Sequence, residues 1–226
     1  MDTKTICLFV ILFSITRTQQ KTYHCDSNAP CGCSLNPVST LQTINREPAS
    51  MNTWSWATSL EIGKHLCGGA IISDSYIMTA AHCVRRARAS DITVYVGSIN
   101  IFEGQPRSVS RIYVHPQYYE DRFRRYVLND IALLKLSTSL NMTDRTLAKI
   151  CLPSSNLILR DKSDVIAIGW GTLTEEDNIA SQTLRQVTLN VISSNTDWCK
   201  SIARNMTTQF CAGIMPSGRK GEFFYF

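Results

Sequence analysis

Beyond residue 50 the chain alternates short apolar stretches with polar, turn-forming ones, and most of the apolar stretches have strand length rather than helix length. The pattern predicts strands over 53–60, 68–79, 92–97, 108–114, 131–136, 165–169 and 184–191. Only 193–204 reads as a helix, with Ser193, Ser194 and Asn195 available as caps and Trp198 and Ile202 four apart on one face. Strands at this spacing, separated by turns and without internal repeats, predict an all-β barrel protein.

The N-terminal end follows a different pattern. Lys4 precedes an apolar run from Ile6 to Ile15, and the polar Thr16-Arg17-Thr18-Gln19-Gln20 follows, which predicts a signal peptide over 1–18 and a secreted, extracellular protein. About ten apolar residues are too few for a bilayer, which needs roughly 20, and no other segment is longer, so no membrane span is expected. Residues 21–42 hold three cysteines and two prolines with little periodicity, and 19–42 reads as a cysteine-containing pro-segment.

Export changes how the cysteines are read. Of nine, Cys7 lies in the signal peptide, and the remaining eight can pair completely in an oxidising compartment. Cys31-Gly32-Cys33 has no accompanying His or Cys cluster at zinc spacing, and the four histidines are dispersed, so neither a metal nor a cofactor is expected. The net charge of +5 is mild and its basic residues are scattered or in short Arg clusters, which argues against a nucleic-acid partner. Two such clusters are Arg85-Arg86-Ala87-Arg88, which resembles a proprotein-convertase site or, alternatively, reads as a solvated loop, and Arg122, Arg124 and Arg125, which read as a charged loop. Asn141-Met142-Thr143 and Asn205-Met206-Thr207 are sequons open to glycosylation.

The chemistry lies in strings rather than in composition. Trp54-Ser55-Trp56-Ala57, Cys67-Gly68-Gly69, Thr79-Ala80-Ala81-His82-Cys83, Asn129-Asp130-Ile131-Ala132-Leu133-Leu134, Cys151-Leu152-Pro153, Gly169-Trp170-Gly171 and Phe210-Cys211-Ala212-Gly213 occur in this order. In these strings the chain resembles the trypsin-like, chymotrypsin-fold serine proteases over about residues 43 to 220. The resemblance implies a two-barrel fold, protein or peptide substrates, His82 as general base and Asp130 as the carboxylate that orients it. It also implies disulfides between Cys67 and Cys83, between Cys199 and Cys211, and between Cys151 and one of Cys25, Cys31 or Cys33, with the other two pairing together. Oligomeric state is not legible.

Departures from the family pattern set the functional expectation. The family continues past the Cys211 string to Gly-Asp-Ser-Gly-Gly, whereas here Ser217-Gly218-Arg219-Lys220 leads into Gly221-Glu222-Phe223-Phe224-Tyr225-Phe226, read as a non-family tail. The nucleophilic serine is absent from the 226 residues, and with it the oxyanion hole, the primary specificity pocket and part of the second barrel. The expectation is a protease domain over 43–220 with an incomplete second barrel, inactive as written, or alternatively a secreted, non-catalytic, protein-binding homologue. The expected activation point is also altered: Gln42 precedes Thr43-Ile44-Asn45-Arg46, where the family places a basic residue before Ile-Val-Gly-Gly. Ser59 and His65 match positions that restrain the inactive precursor in relatives.

Overall fold

The computed structural model describes residues 20–26, 28–41, 47–121, 123, 126–155, 157–172, 179–213 and 223–224. The expected signal peptide lies outside the described residues, as do 42–46 and most of the tail. The chain opens with two antiparallel strands, β1 (Gln20–Tyr23) and β2 (Val38–Leu41), in register from Gln20 opposite Leu41 to Tyr23 opposite Val38. Next come β3 (Glu47–Pro48), β4 (Ala57–Ile62), β5 (His65–Ile71), β6 (Tyr76–Thr79), the short helix α1 (Ala81–Val84), a 3-10 turn at Ala89–Asp91 and β7 (Ile92–Val96). Then follow β8 (Gln105–Val114), β9 (Tyr119–Asp121), β10 (Tyr126–Leu128), β11 (Ala132–Leu136), β12 (Asp164–Gly169), β13 (Arg185–Ile192), α2 (Asp197–Ile202), β14 (Cys211–Gly213) and β15 (Phe223–Phe224).

Strands β11, β6, β5, β4, β7 and β8 close into a barrel in that order. Closure removes the sheet edges, and the inward positions Leu60, Ile71, Ile77, Val94, Val96 and Leu134 are all fully buried. Gly69 on β5 makes the packing possible. A Cβ there would lie 2.8 Å from Thr58 Oγ1 and 2.9 Å from both Ile77 Cγ2 and Leu60 Cδ1. The second half is a sheet of order β12-β13-β14-β15, with β3 also paired to β13, and its core is Ala167, Val187, Leu189 and Ala212. This is the chymotrypsin-like two-barrel arrangement, and within the described residues the second sheet is open.

The structure redraws several expected elements. Residues 53–56 form turns, with Ala57 N–H donating to Trp54 O, because the Trp54-Ser55-Trp56 alternation serves edge-to-face ring packing at 5.6 Å rather than a ladder. The expected strand 68–79 is a hairpin, β5 and β6, whose bend is held by Ser73 Oγ accepting from the N–H groups of Ser75 and Tyr76. The C-terminal helix is capped by Thr196, whose hydroxyl accepts from Cys199 N–H, rather than by Ser193 to Asn195. Residues 20–41, aperiodic as a sequence, contain a strand pair because the two strands meet across the disulfide-stapled segment 24–37. Phe223–Phe224 pairs with β14, so part of the tail carries backbone ladder.

Four disulfides complete the frame: Cys67–Cys83, Cys199–Cys211, Cys31–Cys151 and Cys25–Cys33. The last two settle the connectivity that the sequence leaves open. Gly32, between two bridged cysteines, adopts φ +78°, and a Cβ there would sit 3.0 Å from Cys151 Sγ. No helix among the described residues is long and apolar enough to cross a membrane.

Candidate active site

β6 ends at Thr79, and the chain turns at Ala80 into α1, which presents His82 at the rim of the barrel. The turn is locked from two sides. Cys83 is bonded to Cys67 on β5, and Arg85 N–H donates to Ala81 O at 2.9 Å. Closing the Cys67–Cys83 loop, 16 residues in sequence separation, stabilises by roughly 3 kcal/mol in the chain-entropy account.

Asp130 approaches from the turn between β10 and β11. Asn129 takes φ +50°, a left-handed conformation that Asn tolerates better than most residues, and its side-chain amide donates to Gln117 O at 2.9 Å. The result is a carboxylate that receives two hydrogen bonds from one residue: His82 backbone N–H donates to Oδ1 at 2.8 Å and the ring Nδ1–H to Oδ2 at 2.7 Å. Because an ionised carboxylate only accepts, Nδ1 must carry the proton, and a neutral ring therefore holds a lone pair on Nε2. Nε2 lies 3.4 Å from Cys83 Sγ on an imidazole whose side chain is 56% exposed.

The two groups hold each other's charge. The hydrogen bond to Asp130 raises the His82 pKa, burial opposes this, and the Asp130 charge adds to the rise. Burial pushes the Asp130 carboxyl up, but the ring and backbone hydrogen bonds of His82 outweigh it and leave the carboxyl below its ordinary range. Chemically, such an arrangement fixes the tautomer, leaves Nε2 able to accept a proton and would stabilise the resulting imidazolium.

Cys67, His82 and Cys83 also place three potential metal-binding atoms within 4.8 Å of one another. Both sulfurs are joined in a disulfide, so neither is a thiolate ligand, and the cluster does not fit a metal. Ser59 and His65 are not brought together. Ser59 Oγ accepts from Phe102 N–H at 3.1 Å, while His65 stands opposite Ile62 at the far end of β4.

Two features escaped the sequence reading. Arg85, one helical turn past His82, forms a half-buried ion pair with Glu120 on β9, while Arg86 and Arg88 of the same cluster are exposed. Gln186, 3% exposed, accepts from Trp54 Nε1–H at 2.7 Å and donates to Ser39 O and Glu47 Oε1 at 2.8 and 2.9 Å. The His82-to-Arg85 spacing of one helical turn was a signal for the first; nothing local marked the second.

Fold and site together define a class, and the Trypsin family model matches residues 43–223. The chain belongs to the trypsin-like serine protease family. It is 34% identical over 205 residues to Ovochymase of Halocynthia roretzi, a match covering 83% of this chain and 12% of that protein. This chain thus spans only a small part of that relative's length. The structure resembles that of a scabies mite inactivated protease paralogue, SMIPP-S-D1, with a TM-score of 0.66 and 23% identity over 76% of this chain and 74% of the other.

Proposed function

We propose that this chain is a secreted member of the family with serine-endopeptidase ancestry, in which His82 is the general base and Asp130 the carboxylate that orients it. The double hydrogen bond from His82 to both oxygens of Asp130 is the observation that carries this reading. Protein or peptide chains are the substrates such a site serves. Four disulfides and the Lys4 to Gln20 segment support secretion.

The 226 residues include no Gly-Asp-Ser-Gly-Gly string, and these residues by themselves are expected not to cleave peptides by the family's route. Purified from a secreting host, it is expected to show background hydrolysis of peptide esters and no labelling by a serine-directed fluorophosphonate. Turnover that the probe abolishes would overturn that expectation. Sequencing the transcript past the Lys220 codon tests the family chemistry: continuation into Gly-Asp-Ser-Gly-Gly supplies the nucleophile to His82.

The altered activation point supports a second reading, a secreted homologue that binds proteins without cutting them. Gln42 stands where relatives place the basic residue that an activating protease recognises. A transcript that stops at Phe226, together with secretion of the folded short chain, favours this reading over the first.

A further inference from the structure

Hairpin β9–β10 stands beside His82 and is fastened at both ends. On one side Gln209 Nε2–H donates to Val127 O at 3.0 Å and the Arg204 guanidinium lies 5.4 Å from the Tyr126 ring centre. On the other, Arg85 Nη2 contacts Glu120 Oε2, and the Tyr118 hydroxyl donates to the same oxygen at 3.3 Å. The Arg85 guanidinium lies 5.9 Å from the Tyr118 ring centre. The Arg85 and Glu120 side chains are 22% and 25% exposed, so water screens the pair only in part.

We propose that Arg85 and Glu120 form a positioning clamp for His82: the ion pair pins hairpin β9–β10 to the helical turn carrying the imidazole and balances the charge around it. The inference rests on the reading of His82 as the general base, and it assigns to two residues outside the His–Asp pair a share in setting that base. Arg85 caps the C-terminal end of α1 and its N–H donates to Ala81 O, so the clamp acts on the backbone turn that aims the ring. Removing Glu120 leaves the half-buried Arg85 guanidinium without that counter-charge, which loosens the turn more than loss of an exposed pair would.

The charged groups around the ring fix the sign of the test. Asp130 reaches it from the turn before β11, Glu120 from β9 and Arg85 from the C-terminal cap of α1; Tyr118 feels the same three groups, and its hydroxyl is held protonated by burial. Glu120 favours the imidazolium and Arg85 disfavours it. A clamp that is only structural has no reason to move the His82 titration in opposite directions.

The experiment follows the His82 ring by NMR across pH in the 226-residue chain and in Glu120→Gln, Arg85→Met and the double variant, with amide exchange read over the hairpin. The expected result is a lower His82 midpoint in Glu120→Gln, a higher one in Arg85→Met and an intermediate one in the double variant. Exchange across Tyr119–Asp121 and Tyr126–Leu128 is expected to quicken roughly three- to tenfold in each single variant. If Arg85→Met does not fold, Arg85→Lys carries the test, keeping the charge and the midpoint while losing the guanidinium fork and quickening exchange. Midpoints that stay put or move together, or hairpin exchange that does not change, overturn the clamp. Asp130→Asn separates the two readings: if it fails to lower the midpoint, the His82–Asp130 reading falls, whatever the clamp variants show.

Discussion

Both carboxylate oxygens of Asp130 are taken by a single residue, His82, and this makes the pair a pH-dependent bond within the fold. His82 titrates above its ordinary value, so its stabilising contribution is complete below about pH 6.5 and is lost as pH rises through the folded-state midpoint. Asp130 titrates below its ordinary value, so its contribution is complete above about pH 3.8 and is lost as pH falls through its own midpoint. Urea midpoints measured across pH should therefore peak between these limits, and Asp130→Asn should flatten both flanks. Gly69→Ala is expected to cost roughly 1–3 kcal/mol in the same assay, because its methyl would press on Thr58, Ile77 and Leu60 inside a closed barrel. At this scale the sequence was informative: its strings hold the His82 and Asp130 that the structure brings into contact and the Gly69 that it packs tightly. It was silent on Glu120 and on its pairing with Arg85, which lies 35 residues away in sequence.

Most elements of the first barrel were legible because each carries its own apolar signal, although the β4–β7 and β6–β11 pairings join strands that are not consecutive. Elements whose reason lies elsewhere in the chain were not. Strands β1 and β2 are defined by each other and by β13, and β9 and β10 flank a segment whose arginines read as a charged loop. Gln186 shows what such distant reasons look like. One buried amide joins the N-terminal strand pair through Ser39, strand β3 through Glu47, the first barrel through Trp54 and the second sheet through β13. Gln186→Leu should cost roughly 1–3 kcal/mol, since Trp54 Nε1–H and Ser39 O, both partly buried, lose a partner. Thermal denaturation checks the cost, and faster amide exchange at β3 would locate it; unchanged exchange there would argue against a linking role.

For the molecule as a whole the decisive feature is covalent. Cys31–Cys151, 120 residues apart in sequence, encloses β2, β3, α1 and the entire first barrel in one ring, which stabilises by roughly 5 kcal/mol in the chain-entropy account. A single cut anywhere in 42–46 should leave one species on a non-reducing gel and two after reduction; two species before reduction would contradict the Cys31–Cys151 pairing. The same ring decides how the protein responds when its two ends are drawn apart. Tension entering at the N-terminus crosses from Cys31 to Cys151 through sulfur, so the barrel that carries His82 and Asp130 stays slack while the second sheet is pulled open. In single-molecule stretching, reduction of that one bond with Cys67–Cys83 intact should release roughly 350 Å of hidden contour length, and only then would the His–Asp pair feel the load.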